Sequence, residues 1–245
     1  MQLHYGFDNV DIERAVVTVG SFDGVHAGHH VLLRSLTDMA HRLSAESVVI
    51  TFEPHPRIAM GRAEGLALLT TVEERAYLLA QYGVDRVVVA TFDEAFRSQP
   101  YGTFVRDMLV GKLSMVGMVV GYNHRFGRGS EGSYEQLVPL SRELGFEVER
   151  VEQYRDEGAK VSSTEVRKLL MAGDISRAAR LMQHPYIIIG VAEDGIVGVR
   201  DDYKLLPCSG RYRATVNGVA TDIEICDRQL RLNPEISGRV VVELQ

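Results

Sequence analysis

Between residues 15 and 182, short runs of β-branched residues alternate with longer stretches whose apolar positions recur every three or four residues. The runs AVVTVG (15–20), ESVVITF (46–52), DRVVVATF (85–92), SMVGMVVG (114–121) and FEVERV (146–151) read as strands. Between them the spacing predicts helices over about 28–43, 72–82, 101–110 and 134–144, with Leu32, Leu33 and Leu36 forming the apolar stripe of the first. Such alternation implies right-handed βαβ crossovers, and so an α/β fold with a mostly parallel, Rossmann-like sheet covered on both faces.

Polar residues mark where the later helices start. Thr71 with Glu74, and Ser162 with Glu165, have capping-box spacing, in which a hydroxyl takes one orphan amide and a carboxylate reaches back to another. Ser162 opens SSTEVRKLLMAG, Asp174 opens DISRAARLM, and Gly173 between them reads as a C-terminal stop. Beyond Pro185 the helical period disappears, and YIIIGVA, GRYRATVNG, VATDIEIC and GRVVVEL are strand-like segments broken by Gly and Asn. A boundary is expected near 184, between an α/β domain over 1–184 and a small β module over 185–245. A module of about 60 residues has a marginal core of its own and is expected to pack on the first domain.

With 45% hydrophobic and 24% charged residues, the chain has the composition of an ordinary globular core. Its net charge of -6 argues against a duplex nucleic acid as partner, so a phosphate-bearing ligand would have to be held by local groups. Cys208 and Cys226 lack CxxC spacing and are expected to be buried thiols of a cytosolic protein. The start MQLHYGFDNVDIER has no basic segment followed by an apolar run, and no window approaches the ~18 apolar residues of a membrane span. No membrane partner and a cytoplasmic location are therefore expected.

The stretch TVGSFDGVHAGHH (18–30) packs three glycines and three histidines between the first strand and the first helix. In a parallel sheet this places loop 20–28 at the carboxyl edge, where such folds bind ligands. Gly20, Gly24 and Gly28 permit positive φ and let a ligand approach the backbone closely. The helix N-terminus offers amides and a positive dipole end to a phosphate, and His26 and His29, three apart, share that entrance. A plain Gly-rich turn with capping or core histidines has the same local pattern, and short motifs match by chance. Zinc is a further reading, with no third ligand nearby where a catalytic site takes three.

VGSFDGVHAGHH resembles the signature of the class I nucleotidyltransferase superfamily, in which His-x-Gly-His binds ATP phosphates. More narrowly it is similar to the FMN adenylyltransferase module of the bifunctional riboflavin kinase/FAD synthetases. TFEPHP (51–56), GYNHRFGRGSEG (121–132), VSSTEVR (161–167) and GDISRAARLMQHPYIIIG (173–190) follow in the family's order, so the resemblance runs over residues 14–190. It implies an FMN adenylyltransferase-like domain that transfers AMP from ATP to FMN, giving FAD and pyrophosphate. His26, His29 and Arg167 then take catalytic roles. Gly20, Ser21, Phe22, Asp23, Gly24 and Gly28, with Ser162, Ser163 and Thr164, take the ATP. Phe52, Pro54, His55 and Pro56 form a flavin wall, and Asn123 and Arg125 make polar contacts to the isoalloxazine or the FMN phosphate. Asn123 fits a position the family writes as Asp or Asn, whereas His124 stands where the family more often has Phe. Magnesium is expected to bridge the ATP phosphates, and no carboxylate is assigned to it.

Members of that family usually continue into a riboflavin kinase barrel with a Pro-Thr-x-Asn motif. No such motif follows residue 185, although LLPCSGRYRATVNG resembles a strand pair of that barrel. The tail therefore reads as a shortened remnant without kinase activity. Two other readings stay open at this point: a nucleotidyltransferase acting on another phosphorylated acceptor, and a non-catalytic flavin or nucleotide sensor.

Overall fold

Parallel strands covered by helices on both faces are apolar along most of their length, and the runs AVVTVG, ESVVITF, DRVVVATF and SMVGMVVG meet that condition, whereas FEVERV, with Glu147, Glu149 and Arg150, forms an edge strand. The computed structural model of the chain describes residues 1–156, 158–199, 201–233 and 236–245. Its main sheet contains β1 (Gln2–Tyr5), β2 (Ala15–Val19), β3 (Glu46–Glu53), β4 (Arg86–Thr91), β5 (Met115–Gly121) and β6 (Glu147–Val151), in the order β1-β4-β3-β2-β5-β6. Every neighbouring pair is parallel. All five residues of β2 are buried, and the direction of winding reverses beside it, between β2 and β5. Sheets of this kind bind ligands at the carboxyl ends of the strands at that switch point. The short, mostly exposed edge strand β1 was not foreseen, since QLHY carries too few apolar residues to read as a strand.

The helices are α1 (Ala27–Arg42), α2 (Pro56–Ala59), α3 (Val72–Gln81), α4 (Glu94–Arg97), α5 (Tyr101–Thr103), α6 (Gly111–Leu113) and α7 (Tyr134–Leu144). In α1 the predicted stripe of Leu32, Leu33 and Leu36 is buried. The helix expected over 101–110 is composite. After the single turn of α5 the chain widens into a π-helix over Phe104–Val110 before α6 closes the segment. π-helical turns recur at functional sites, and Phe104 is a pocket residue here.

The chain divides into two compact units, one of Met1–Phe22, His29–Glu64 and Leu78–Tyr154, the other of Asp23–Gly28, Gly65–Tyr77 and Arg155–Gln245. The first holds the parallel sheet. The second begins its long segment with the hairpin β7 (Arg155–Asp156) and β8 (Ala159–Lys160), then α8 (Ser163–Met171) and α9 (Ile175–Met182). It ends in a closed antiparallel barrel of β9 (Tyr186–Glu193), β10 (Ile196–Gly198), β11 (Gly210–Val216), β12 (Val219–Cys226), β13 (Gln229–Leu232) and β14 (Gly238–Leu244), ordered β10-β13-β12-β11-β14-β9. β10 and β13 were not foreseen, because three or four residues are too short to display a period of two. Closure leaves no exposed sheet edge. Val166 and Leu170 of α8, and Ile175, Ala178 and Met182 of α9, share one core with Ile188, Val216, Ile223 and Val240 of the barrel.

The expectation that both cysteines are buried is corrected: Cys208 is exposed and Cys226 half-buried. Cys226 ends β12 and Cys208 precedes β11, so both lie at strand ends, away from the barrel core. Among the described residues, no helix is long and apolar enough to cross a membrane.

Candidate active site

The loop after β2 is shaped by backbone conformations its sequence only partly advertises. Gly24 uses the positive φ that glycine permits, at +80°, whereas Gly20 and Gly28 do not lie in the left-handed region. Instead, the bulky residues Phe22 and Val25 adopt φ 47° and 36°, each costing on the order of 1–3 kcal/mol and kept only where the surroundings over-determine it. Both side chains are fully buried. Gly20 and Gly28 are glycines for a different reason, the close approach of aromatic rings. A Cβ on Gly20 would lie 3.1 Å from the Phe22 ring, and one on Gly28 would lie 3.2 Å from the His26 imidazole. His26 is buried, at 8% exposure, and the His29 ring tilts against Phe22 with centroids 5.0 Å apart.

In the first unit, a pocket of about 1020 Å³ opens at the carboxyl end of the sheet. It gathers Gly20, Ser21, Phe22, His29, Phe52, His55, Pro56, Asn123 and Arg125 of the residues picked out from sequence; Pro54 does not line it. His55 has a local task as well, since its Nδ1 accepts a hydrogen bond from the Arg57 amide (3.2 Å) and caps α2. The 121–132 loop is closed by a pair of backbone hydrogen bonds between Phe126 and Gly132 at 2.9 and 3.1 Å. At its start the His124 ring stacks on Phe126, with centroids 5.4 Å apart and an interplanar angle of 25°. Desolvation pushes the His124 pKa down to about 4, so it is neutral at pH 7.

The rest of the pocket wall was missed. Phe92, Phe96, Phe104 and Phe126 form an edge-to-face chain with Phe52, with centroids 5.2 Å apart for Phe52–Phe92 and 5.4 Å for Phe96–Phe104. Arg62, Arg97 and Arg128 join Arg125 as cationic lining, against the single carboxylate of Glu94. The rule that drew attention to the end of β2 applies equally to the end of β4, where TFDEAF carries both Phe92 and Phe96. This pocket combines flat aromatic surface with excess positive charge in a chain whose net charge is -6, a combination suited to a planar ring system bearing phosphate.

The second unit gathers the remaining residues picked out from sequence. The Asp23 carboxylate, 1% exposed, accepts from the Leu69 amide (3.1 Å), the Thr70 amide (2.9 Å) and the Thr70 hydroxyl (3.2 Å). It also pairs with Arg167 Nη2 at 2.5 Å, while Arg167 Nε donates to the Ala67 carbonyl. Ser163 Oγ donates to the Asp23 carbonyl (2.9 Å), and Gly24 N donates to Thr70 Oγ1 (3.1 Å). Ser162 caps α8, although its hydroxyl stands 3.5 Å from the Glu165 amide and the Glu165 carboxylate pairs with Lys168 instead of reaching back. Thr164 is exposed on the first turn. The first capping box is complete: Thr71 N donates to Glu74 Oε2 (2.8 Å) and Glu74 N to Thr71 Oγ1 (3.2 Å). Among the described residues, no three of His, Cys, Asp or Glu cluster to hold a metal ion.

The family model described as FAD synthetase matches residues 8–165. The bifunctional riboflavin kinase/FMN adenylyltransferase of Escherichia coli (strain K12) is 35% identical over 178 residues, 73% of this chain and 57% of the relative. The chain thus spans little more than half the length of that relative. The FAD synthetase of Listeria monocytogenes is 31% identical over 241 residues, covering 94% of this chain and 96% of the relative. In fold, the crystal structure of a macrolide-efflux protein from Streptococcus pneumoniae superposes on the whole chain and on 89% of its own, with TM-score 0.82 at 21% identity.

Proposed function

The chain belongs to the FAD synthetase family, and from that premise we propose that it is an ATP:FMN adenylyltransferase. An oxygen of the FMN phosphate attacks the α-phosphorus of ATP, the bond to the β-phosphate oxygen breaks, and FAD and pyrophosphate leave. The observation that carries this reading is the pocket of about 1020 Å³, with its aromatic wall and its four arginines. Phe52, Phe92 and Phe96 offer ring faces and edges to the isoalloxazine, and Arg125 with Asn123 offers donors to its polar edge or phosphate.

The nucleophile is the substrate's own phosphate, so the protein's task is positioning and charge stabilisation, and no activated side-chain nucleophile is needed. His26 and His29 are assigned to the α-phosphate region, where charge develops. Gly20–Gly24 and Gly28 contribute backbone that lets ATP approach. Ser162, Ser163 and Thr164, at the N-terminus of α8, and Arg167 are assigned to the β- and γ-phosphates, where amides, the helix dipole and a guanidinium suit an anion. Magnesium enters as part of the Mg·ATP substrate, with phosphate oxygens and water as its ligands.

Riboflavin kinase activity is proposed to be absent from this chain, because residues 185–245 carry no Pro-Thr-x-Asn motif. ATP and FMN are the proposed small-molecule partners, with no nucleic acid or membrane, and the location fitting those substrates is the cytoplasm. The test is pyrophosphate release from Mg·ATP, followed enzymatically with and without FMN. Release that requires FMN is expected; release that ignores FMN but responds to another phosphorylated acceptor would refute the reading.

A further inference from the structure

The barrel has no assigned task, yet one buried side chain on its connecting segment reaches toward the nucleotide loop through a strap of chain at 66–71. Leu68 bridges that segment as a parallel strand would, with Leu68 N donating to the Tyr203 carbonyl (2.6 Å) and Leu205 N to the Leu68 carbonyl (2.8 Å). The next carbonyl, of Leu69, accepts from Lys204 Nζ at 2.7 Å. The same ammonium donates to Glu74 Oε2 (2.7 Å) and to the Ile187 carbonyl in β9 (2.9 Å), and lies 4.3 Å from the centre of the Tyr186 ring. Lys204 is fully buried, and its three protons have three acceptors, so its head group has one orientation available. Glu74 in turn accepts from the Thr71 amide and, on Oε1, from the Ile189 amide of β9 (2.9 Å).

The strap's other side holds the loop. The Leu69 and Thr70 amides donate to Asp23, which pairs with Arg167. The Leu69 side chain packs so tightly on Gly24 that a Cβ there would lie 2.4 Å from Leu69 Cδ1. His184, where the chain enters β9, sets its Nε2 3.1 Å from the Gly24 carbonyl. Two ion pairs, Asp23–Arg167 and Glu74–Lys204, thus flank the same few peptides, one gripping amides and the other a carbonyl. The Asp23 carboxylate is saturated by donors and carries the charge a phosphate repels, so its side chain orients Arg167 and the strap.

We infer that the C-terminal module is a working part of the ATP site: Lys204 is a positioning residue that, through Leu69–Thr71, fixes Asp23–Gly28 and Arg167. The inference rests on the proposed ATP role of that loop, and its test is read on ATP alone. Lys204→Met combined with Glu74→Gln removes the clamp without leaving an unpaired buried charge. The variant is expected to keep the wild-type circular dichroism and its affinity for FMN, while its Kd for magnesium α,β-methylene-ATP rises by about 5- to 100-fold. A folded variant with unchanged ATP affinity would overturn the inference.

Hydrogen exchange of the wild-type protein gives a second reading that does not depend on the variant's folding. The analogue should slow exchange at Leu69 and Thr70 together with Ile189 and Leu205. Protection that stops short of 186–190 and 203–206, or no binding of the analogue, would also overturn it. ATP coupling without FAD formation from FMN would leave this inference standing and refute the proposed acceptor.

Discussion

On the proposed function, Gly28→Ala separates what the loop after β2 does for stability from what it does for catalysis. Gly28 is the second residue of α1 and lies outside the left-handed region, so the backbone accepts alanine, and helix propensity favours it by up to about 1 kcal/mol. The new Cβ would lie 3.2 Å from both Cε1 and Nδ1 of His26 and 3.9 Å from the Val161 carbonyl. Relaxed carbon contacts are about 3.5–4.0 Å, so the imidazole must retreat by roughly 0.3–0.8 Å. Displacing a catalytic group by 1 Å costs about 100-fold, which puts the loss in kcat on the order of 10-fold. Thermal melts and steady-state FAD formation should show an unchanged or higher Tm, an unchanged KM for FMN and a lower kcat. Wild-type kcat in a variant of wild-type stability would refute the claim that His26 acts from this fixed position.

Other expectations follow from the same contacts. Glu74→Ala leaves the Lys204 ammonium buried and unpaired, which should cost about 3–5 kcal/mol and lower Tm by roughly 6–20 °C in calorimetry; a shift under about 2 °C would show that Lys204 rearranges freely. His124 is held neutral by desolvation, with its pKa lowered from 6.5 to about 4. The unfolded chain therefore binds a proton below 6.5 that the folded chain refuses until about 4, and stability falls as pH drops through that window, by up to about 2 kcal/mol at pH 5. Denaturant midpoints at pH 7 and 5 should draw together in His124→Phe, and equal pH dependence in both proteins would contradict this. Arg125→Ala should raise the KM for FMN by about 10-fold or more with a smaller effect on kcat, as expected for a lost charge-assisted hydrogen bond; an unchanged KM would remove Arg125 from the flavin site.

The parallel sheet was legible because β2 to β5 are apolar along most of their length and alternate with clear helical stripes. The pocket was half legible. Phe52, His55 and Asn123 stood in recognisable stretches, whereas Phe92 just after β4 and Phe96 in the short α4 belong to a stretch that, taken alone, looks like an ordinary strand end. Of the three glycines that permit positive φ in this loop only Gly24 adopts it, while Phe22 and Val25 take the strain, because the tertiary environment sets the conformation there and propensity does not. The Lys204–Glu74 pair was invisible for a similar reason: Glu74 reads as half of a capping box and Lys204 as a surface charge until the fold buries them together. Short barrel strands such as β10 carry too little pattern to announce themselves.

The central claim is that the FMN phosphate attacks the α-phosphorus of ATP. It is tested most directly by incubating the purified protein and magnesium with FMN, or with riboflavin, and ATP labelled with ³²P at either the α or the γ position, then separating the flavins chromatographically. The account predicts α-label in FAD, γ-label only in pyrophosphate, and no labelled flavin from riboflavin. γ-Label in FMN formed from riboflavin would show that the barrel phosphorylates after all, and absence of α-label from FAD would contradict the central claim.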